Sequence, residues 1–114
     1  MAASVEVKGK SLLVNALNTA SPLSLTATIT IDGAAPTTVT QAVSYATAVE
    51  SGGNSSAEIT SNVTFTFAGI NTSVQKVELF NGANLLASSG TLTTDNFFPN
   101  GGDLIVTSFK ITVT

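Results

Sequence analysis

Residues 23–31, LSLTATITI, alternate strictly between apolar and hydroxyl-bearing side chains. Successive side chains of an extended strand point to opposite faces, so this segment has one apolar face and one face of Ser and Thr. That pattern predicts a strand with one face on a core and the other in solvent. Residues 62–68 and 104–113 alternate in the same way. The chain is therefore predicted to be built mainly from strands.

Turn signals separate the predicted strands. Asp32-Gly33 ends the first strand, and Asn81-Gly82 predicts a hairpin whose return strand begins at Leu85-Leu86. Further strands are predicted at 37–49 and 74–80, and residues 50–56 are predicted to be a loop with Gly52-Gly53 at its tip. The fold class predicted is all-β: a small antiparallel β-sandwich, jelly-roll or immunoglobulin-like, of about six or seven strands.

One segment, residues 10–18, predicts a short N-terminal helix. Ser11 is a possible start, and Pro22 prevents continuation. The helix is expected to cover an open end or edge of the sandwich, and residues 1–114 are expected to form a single domain. Its apolar residues fall at helical spacing, which predicts one shared face for Leu12, Leu13, Ala16 and Leu17.

The composition argues against several functions. The chain contains no His, Arg or Cys and only four Lys, so the side chains most used for acid–base catalysis, anion clamps and zinc sites are missing. We therefore expect no enzyme and no cofactor or metal. The net charge of -3 argues against nucleic acid, which requires clustered positive charge. No apolar run is long enough to predict a membrane span or a signal peptide.

The surface is expected to be weakly charged. Only 10% of residues are charged, against about 25% in typical domains, whereas 13 Ser and 18 Thr are present. Such a surface loses little hydration when it is buried against a neighbour. The composition therefore predicts self-association or a place in a larger assembly.

Six segments form one pattern along the chain: Gly9–Leu13, Asn15–Leu17, Gln41–Tyr45, Ser51–Ser55, Val63–Phe65 and Val74–Phe80. The order of these segments resembles a family of small tailed-bacteriophage virion proteins, described as tail-fibre-like or minor structural proteins. The resemblance covers nearly the whole chain, but the chain departs from the family pattern at Phe80, where Trp is usual, and in a shorter loop after Ile31.

This resemblance implies a virion structural protein with no catalytic residues. Its expected role is capsid decoration or cement, in which it binds the major capsid protein or other virion proteins and stabilises the head shell. A tail-fibre or baseplate module that binds the host surface is the alternative. The expected location is the virion, assembled in the host cytoplasm.

Two segments are candidate interfaces. Adjacent side chains of an extended segment point to opposite sides, so one of Phe97 and Phe98 can enter the core while the other faces out beside Pro99. Filling of the core by both rings is equally consistent with the sequence. Val5 and Val7 lie in an N-terminal arm that is expected to pair with a neighbouring chain as an added strand.

Four further sequence features suggest other functions, with less support than a structural role. Gly9-Lys10-Ser11 imitates the end of a phosphate-binding loop, but Ser4 stands where the motif needs Gly, so a helix start is expected. Thr-X-Thr runs suggest an ice-binding face, although high strand propensity explains them equally well. A carboxylate-based hydrolase would need two paired acidic groups among seven that are expected to be solvated. A Ca²⁺ site would draw on Asp95, Asn96, Asn100 and Asp103.

Overall fold

The computed structural model of the protein describes residues 3, 5–20, 22–90 and 96–114, with Asn96 described by its backbone alone. These residues form one helix and ten strands. In chain order they are α1 (Val7–Thr19), β1 (Leu23–Ile31), β2 (Thr37–Ala42), β3 (Val49–Ser51), β4 (Asn54–Ala57), β5 (Val63–Phe67), β6 (Thr72–Asn81), β7 (Asn84–Ser88), β8 (Asn96–Phe98), β9 (Gly102–Val106) and β10 (Ile111–Val113).

The larger sheet is antiparallel and has the strand order β2-β1-β6-β7. β8 also pairs with β6, at the opposite end of that strand from β7. β1 lies in the interior of this sheet, and its apolar side chains from Leu23 to Ile29 are buried as the alternation predicts, whereas Ile31 at its end is exposed. The half-buried character of this strand is confirmed.

Two smaller antiparallel sheets form the opposite layer, with the strand orders β10-β4-β3 and β5-β9. Phe65 of β5 and Leu79 of β6 are fully buried in the core between the layers. α1 packs against β3, β4 and β10 and adds Val14 to the core. The predicted fold class, a small β-sandwich with an N-terminal helix, is confirmed.

The helix is longer than predicted. It begins at Val7 rather than near residue 10, because the Lys10 N–H donates to the Glu6 carbonyl (2.9 Å) and closes a turn before Ser11. The Val7 backbone is therefore helical, which contradicts the extended arm at Val7, whereas pairing through Val5, which precedes the helix, stays a prediction.

The strands are shorter and more numerous than the predicted six or seven. The segment 37–49 leaves the sheet after Ala42, where Tyr45 forms an isolated bridge with Ile59. The predicted loop 50–56 is instead the β3–β4 hairpin, because Gly52 and Gly53 have positive φ (59° and 81°) and allow a two-residue turn. The segment 104–113 is divided between β9 and β10.

Both remaining turn predictions concern hairpins of the larger sheet. Asp32 and Gly33 have φ of 50° and 74°, and the Ala34 N–H donates to the Ile31 carbonyl (2.9 Å), so this turn is confirmed. The second hairpin is also present, but its turn lies one residue later than predicted, at Gly82-Ala83 between Asn81 and Asn84.

The molecule is elongated, with principal extents of 51 × 28 × 26 Å. β6 runs along it from Thr72, which pairs with Phe98 in β8, to Asn81, which pairs with Asn84 in β7. Its ten residues span about 30 Å. Surfaces near β8 and near the β6–β7 turn therefore lie toward opposite ends of the sheet.

Candidate interaction surfaces

In the described ranges, no group of three or more His, Cys, Asp or Glu side chains is arranged so that it could hold a metal ion. Of the four residues proposed for Ca²⁺, Asp95 and the side chain of Asn96 lie outside the described part of the chain. Glu50 accepts hydrogen bonds from Lys8 and Ser11, which lower the pKa of its carboxyl group.

Glu58 is a structural residue that closes the gap between β9 and β10. Its carboxylate accepts hydrogen bonds from the Phe109 N–H (2.7 Å), the Ile59 N–H (3.0 Å) and the Ser108 hydroxyl. The Tyr45 hydroxyl donates to the Phe109 carbonyl (2.7 Å), and burial followed by the Glu58 charge raises its pKa. These hydrogen bonds take the place of the backbone hydrogen bonds that one continuous strand at 104–113 would have made with a neighbouring strand.

The pKa of Glu58 follows from two opposing influences. Desolvation by burial, the largest influence, raises the pKa, but the bonds from Ser108, Phe109 and Ile59 together lower it below its ordinary value of 4.5. A carboxyl group whose pKa is lowered in the folded state contributes stability above its unfolded pKa and loses that contribution as the pH falls through the folded value.

Replacing Glu58 with alanine is expected to lower the free energy of unfolding by about 2–3 kcal/mol at pH 7, because two backbone N–H groups lose their acceptor. The difference from the wild type should shrink as the pH falls below 4.5, the ordinary pKa of this carboxyl group, because the wild-type carboxylate then becomes protonated. Urea denaturation at several pH values measures both effects. Asp103→Ala, at an exposed acidic residue, is the control; equal losses for the two variants would contradict this role.

The Gly9-Lys10-Ser11 segment lies inside α1 and attaches the helix to the β3–β4 hairpin, which excludes the phosphate-loop alternative. The Lys10 ammonium donates to the Gly53 carbonyl (2.6 Å). The buried Ser11 hydroxyl contacts the Ser55 hydroxyl (3.0 Å) and donates to Glu50 (2.9 Å). These contacts fix which side of the helix faces the core.

α1 agrees only in part with the sequence prediction. Ser11 and Val14 face inward and are buried, whereas Leu12 is 76% and Leu13 60% exposed. The predicted shared face is present for Leu13, Ala16 and Leu17, which line one groove, whereas Leu12 lies outside it. The Ser11–Ser55 contact places Ser11 against the core. We call the exposed residues Leu12, Leu13 and Ala16, together with Val5 just before the helix, the outer stripe of α1.

An apolar groove of about 620 Å³ adjoins the outer stripe, between α1, the β6–β7 turn and β10. None of the described residues that line it is charged. Its lining includes Leu13, Ala16, Leu17, Leu86, Ile111 and Val113, with Asn81 and Asn84 at the turn. Sequence analysis missed this groove because it depends on where three distant segments meet.

The Phe97-Phe98-Pro99 segment places its two rings on opposite sides. Phe98 packs on the core, with its ring 5.5 Å from that of Phe67, whereas Phe97 is 45% exposed. The Pro99 carbonyl accepts the Asn71 N–H (3.0 Å), which fixes the segment on the sheet. One ring therefore lies inside and one outside, and the interface role of this segment stays a prediction.

Two more exposed apolar residues lie at the same end of the sheet as Phe97. Ile31 pairs with Thr72 at the end of β1, and Ile70 lies two residues before Thr72. We call these exposed apolar residues at one end of the sheet, Ile31, Ile70 and Phe97, the distal patch. By the strand register, Phe97 lies on the outer face beside Ser73, and Ile31 lies on the other face beside Thr72. One residue could have indicated this patch from the sequence. Ile70 is an apolar side chain in the turn-like segment between β5 and β6, where the alternation of the strands does not account for it.

The Thr-rich face of the larger sheet is a ladder of cross-strand pairs. The Thr26 and Thr40 hydroxyls hydrogen-bond each other (3.0 Å), and Thr28 pairs with Thr38. A Lys76–Glu78 ion pair (3.5 Å) borders the ladder on β6. Mutual bonding of the hydroxyls supports strand pairing as the reason for these residues.

In the described ranges, no helix combines the length and hydropathy of a membrane-crossing segment. Comparisons of the chain with protein-family models, with curated proteins and with solved structures each found no match. The resemblance to phage virion proteins therefore rests on the sequence patterns given above.

Proposed function

We propose that this protein is a virion structural protein of the capsid decoration or cement type, which binds its partners through uncharged apolar surfaces. The observation that carries the proposal is the placement of exposed aliphatic and aromatic side chains at both ends of a molecule 51 Å long. At one end is the outer stripe of α1 with its groove, and at the other is the distal patch.

Exposed apolar side chains grouped in this way are characteristic of binding surfaces, whereas single ones are normal on any protein. Leu12, Leu13 and Phe97 together expose large side chains that the core does not use. The surrounding surface is rich in Ser, Thr and Asn, which lose little hydration on burial. Both properties favour attachment to another protein over a free monomer.

Contacts at both ends suit a cement function. A protein that stabilises a shell must hold two neighbouring subunits, and a second contact made by a tethered molecule adds affinity through its high effective concentration. An elongated body with one apolar surface toward each end meets this requirement. The major capsid protein is the proposed partner.

A specific observation favours the alternative, a tail-fibre or baseplate module. A shallow groove of about 310 Å³ on the larger sheet combines the half-buried ring of Phe80 with hydroxyls from Ser24, Thr26, Thr38 and Thr40. An aromatic ring beside hydroxyl groups is chemistry that suits a glycan. Loss of host-surface binding in a Phe80→Ala variant, with capsid binding absent, would favour this alternative over the capsid role.

Replacing Phe97 with serine is expected to weaken binding to capsid shells at least about tenfold, because it removes the largest side chain of the distal patch. Ile105→Ser, at a residue 53% exposed on β9, is the matched control and should bind like the wild type. Co-sedimentation of the purified protein with shells stripped of it measures this. Wild-type affinity of Phe97→Ser, or failure of the wild type to bind, would contradict the proposal.

A further inference from the structure

We infer that two copies of this chain associate about a two-fold axis through the outer stripe of α1 and the apolar groove beside it. The occupant of the groove is the same stripe on the second copy. This inference deepens the proposed function, on which its use in an assembly rests: the outer stripe joins two copies, and the two distal patches of the dimer make the two capsid contacts.

The first step is the distribution of apolar residues on α1. Val14 and Leu17 pack on the core, whereas Leu12 and Leu13 point away from it, so the helix is apolar on both sides. A surface helix normally has a polar outer face, and a helix that is apolar all round is normally buried. Burial of α1 is therefore incomplete in the single chain.

The second step is the shape of the surface. The outer stripe is a ridge, and the groove of about 620 Å³ lies directly beside it, with Leu13 belonging to both. A two-fold axis brings identical surfaces together, so a self-complementary surface needs a projection and a recess side by side. This face has both, and each copy can place Leu12 against the Leu86 side of the other's groove.

The third step is charge, which selects a second copy over a partner of different chemistry. The chain carries a net charge of -3, so two copies repel unless they meet through an uncharged surface. The outer stripe and the groove lining carry no charge. The nearest ammonium groups lie outside this surface: Lys8 and Lys10 are bonded to Glu50 and to the Gly53 carbonyl, and Lys110 lies in the adjoining pocket with Leu86 and Ile111.

The fourth step is the strand edge that borders the groove. β7 pairs with β6, and among the described residues it has no second strand partner. Its sequence, NLLAS, contains no charge and no proline, the devices with which proteins protect exposed edges. Two edge strands away from the groove carry charge, Glu50 in β3 and Asp103 in β9, whereas β2 and β5 carry none. β10, which also borders the groove, is likewise uncharged. The edge next to the groove is therefore suited to burial against a copy.

Sedimentation velocity over a concentration series tests the inference on the purified chain. The wild type is expected to be dimeric at micromolar concentration, and a Leu12→Ser, Leu13→Ser double variant should raise the dimer dissociation constant at least about 100-fold, since each change occurs twice at a two-fold interface. Ile105→Ser is the control and should dimerise like the wild type. Circular dichroism must show the same fold for all three proteins.

Chemical cross-linking gives an independent readout, because the natural chain has no cysteine. Leu12→Cys treated with a short bismaleimide should give a covalent dimer, whereas Ile105→Cys should stay monomeric. Equal cross-linking of both variants would overturn the inference, as would a wild type that remains monomeric at about 100 μM or forms open chains instead of a closed dimer.

The outcomes also separate this inference from the proposed function. A chain that is monomeric yet binds capsid shells overturns the two-fold contact and leaves the structural role standing. A chain that dimerises through Leu12 and Leu13 but accompanies no virion protein supports the contact and removes the proposed function.

Discussion

Replacing Phe65 with alanine is expected to lower the free energy of unfolding by about 3–5 kcal/mol, the range for removing a large aromatic side chain from a packed core. Phe65 is the largest fully buried side chain among the described residues and lies on β5, facing the larger sheet. Neighbours on paired strands cannot move far enough to fill the space that the ring leaves.

Phe97→Ala is the matched control, because it removes the same side chain from a position that is substantially exposed. It should change stability by less than about 1 kcal/mol. Urea denaturation followed by circular dichroism measures both variants. If Phe65→Ala were no more destabilising than Phe97→Ala, the sandwich core described here would be wrong.

Gly101→Ala is the second substitution with a large expected effect, a loss of at least about 3 kcal/mol. Gly101 has a φ of 78°, which side-chain-bearing residues rarely adopt, and a Cβ there would collide with the backbone carbonyl of Phe67. The backbone strain and the steric collision therefore both destabilise the variant. Neither the β5 backbone nor the turn at Gly101 can move without breaking the β5–β9 pairing.

Gly53→Ala separates the two causes. Gly53 has nearly the same φ, 81°, but an added Cβ meets nothing within 4 Å. It should show the strain alone, about 1–2 kcal/mol. Thermal and urea unfolding of both variants give the comparison. Equal losses at Gly53 and Gly101 would show that the close approach to Phe67 is unimportant.

Alternation and turn motifs within single segments correctly predicted the strands that pair along their whole length. The alternation in β1 and β5 identified their buried faces, because each pairs along its length in an antiparallel ladder. The Asp32-Gly33 turn was predicted for the same reason, since its backbone conformation depends on two adjacent residues. Such features need no knowledge of distant segments.

The errors occurred where distant residues decide the structure. Glu58 supplies acceptors to Ser108 and Phe109 and breaks a strand that alternation predicted to be continuous. Ser11 bonds Ser55 and lies against the core, whereas Leu12 and Leu13 are exposed, an orientation of α1 that leucine spacing alone did not define. The groove and the distal patch each join separated segments, so periodicity within one segment did not reveal them.

The central claim is that uncharged apolar surfaces attach this chain to a virion. Density-gradient purification of particles from the culture that produces the chain, followed by quantitative mass spectrometry and immunogold labelling, tests it most directly. The account predicts that the chain sediments with the particles, at a copy number comparable to that of the major capsid protein and with label on the head. Recovery of the chain only in slowly sedimenting fractions, without any virion protein, would contradict it.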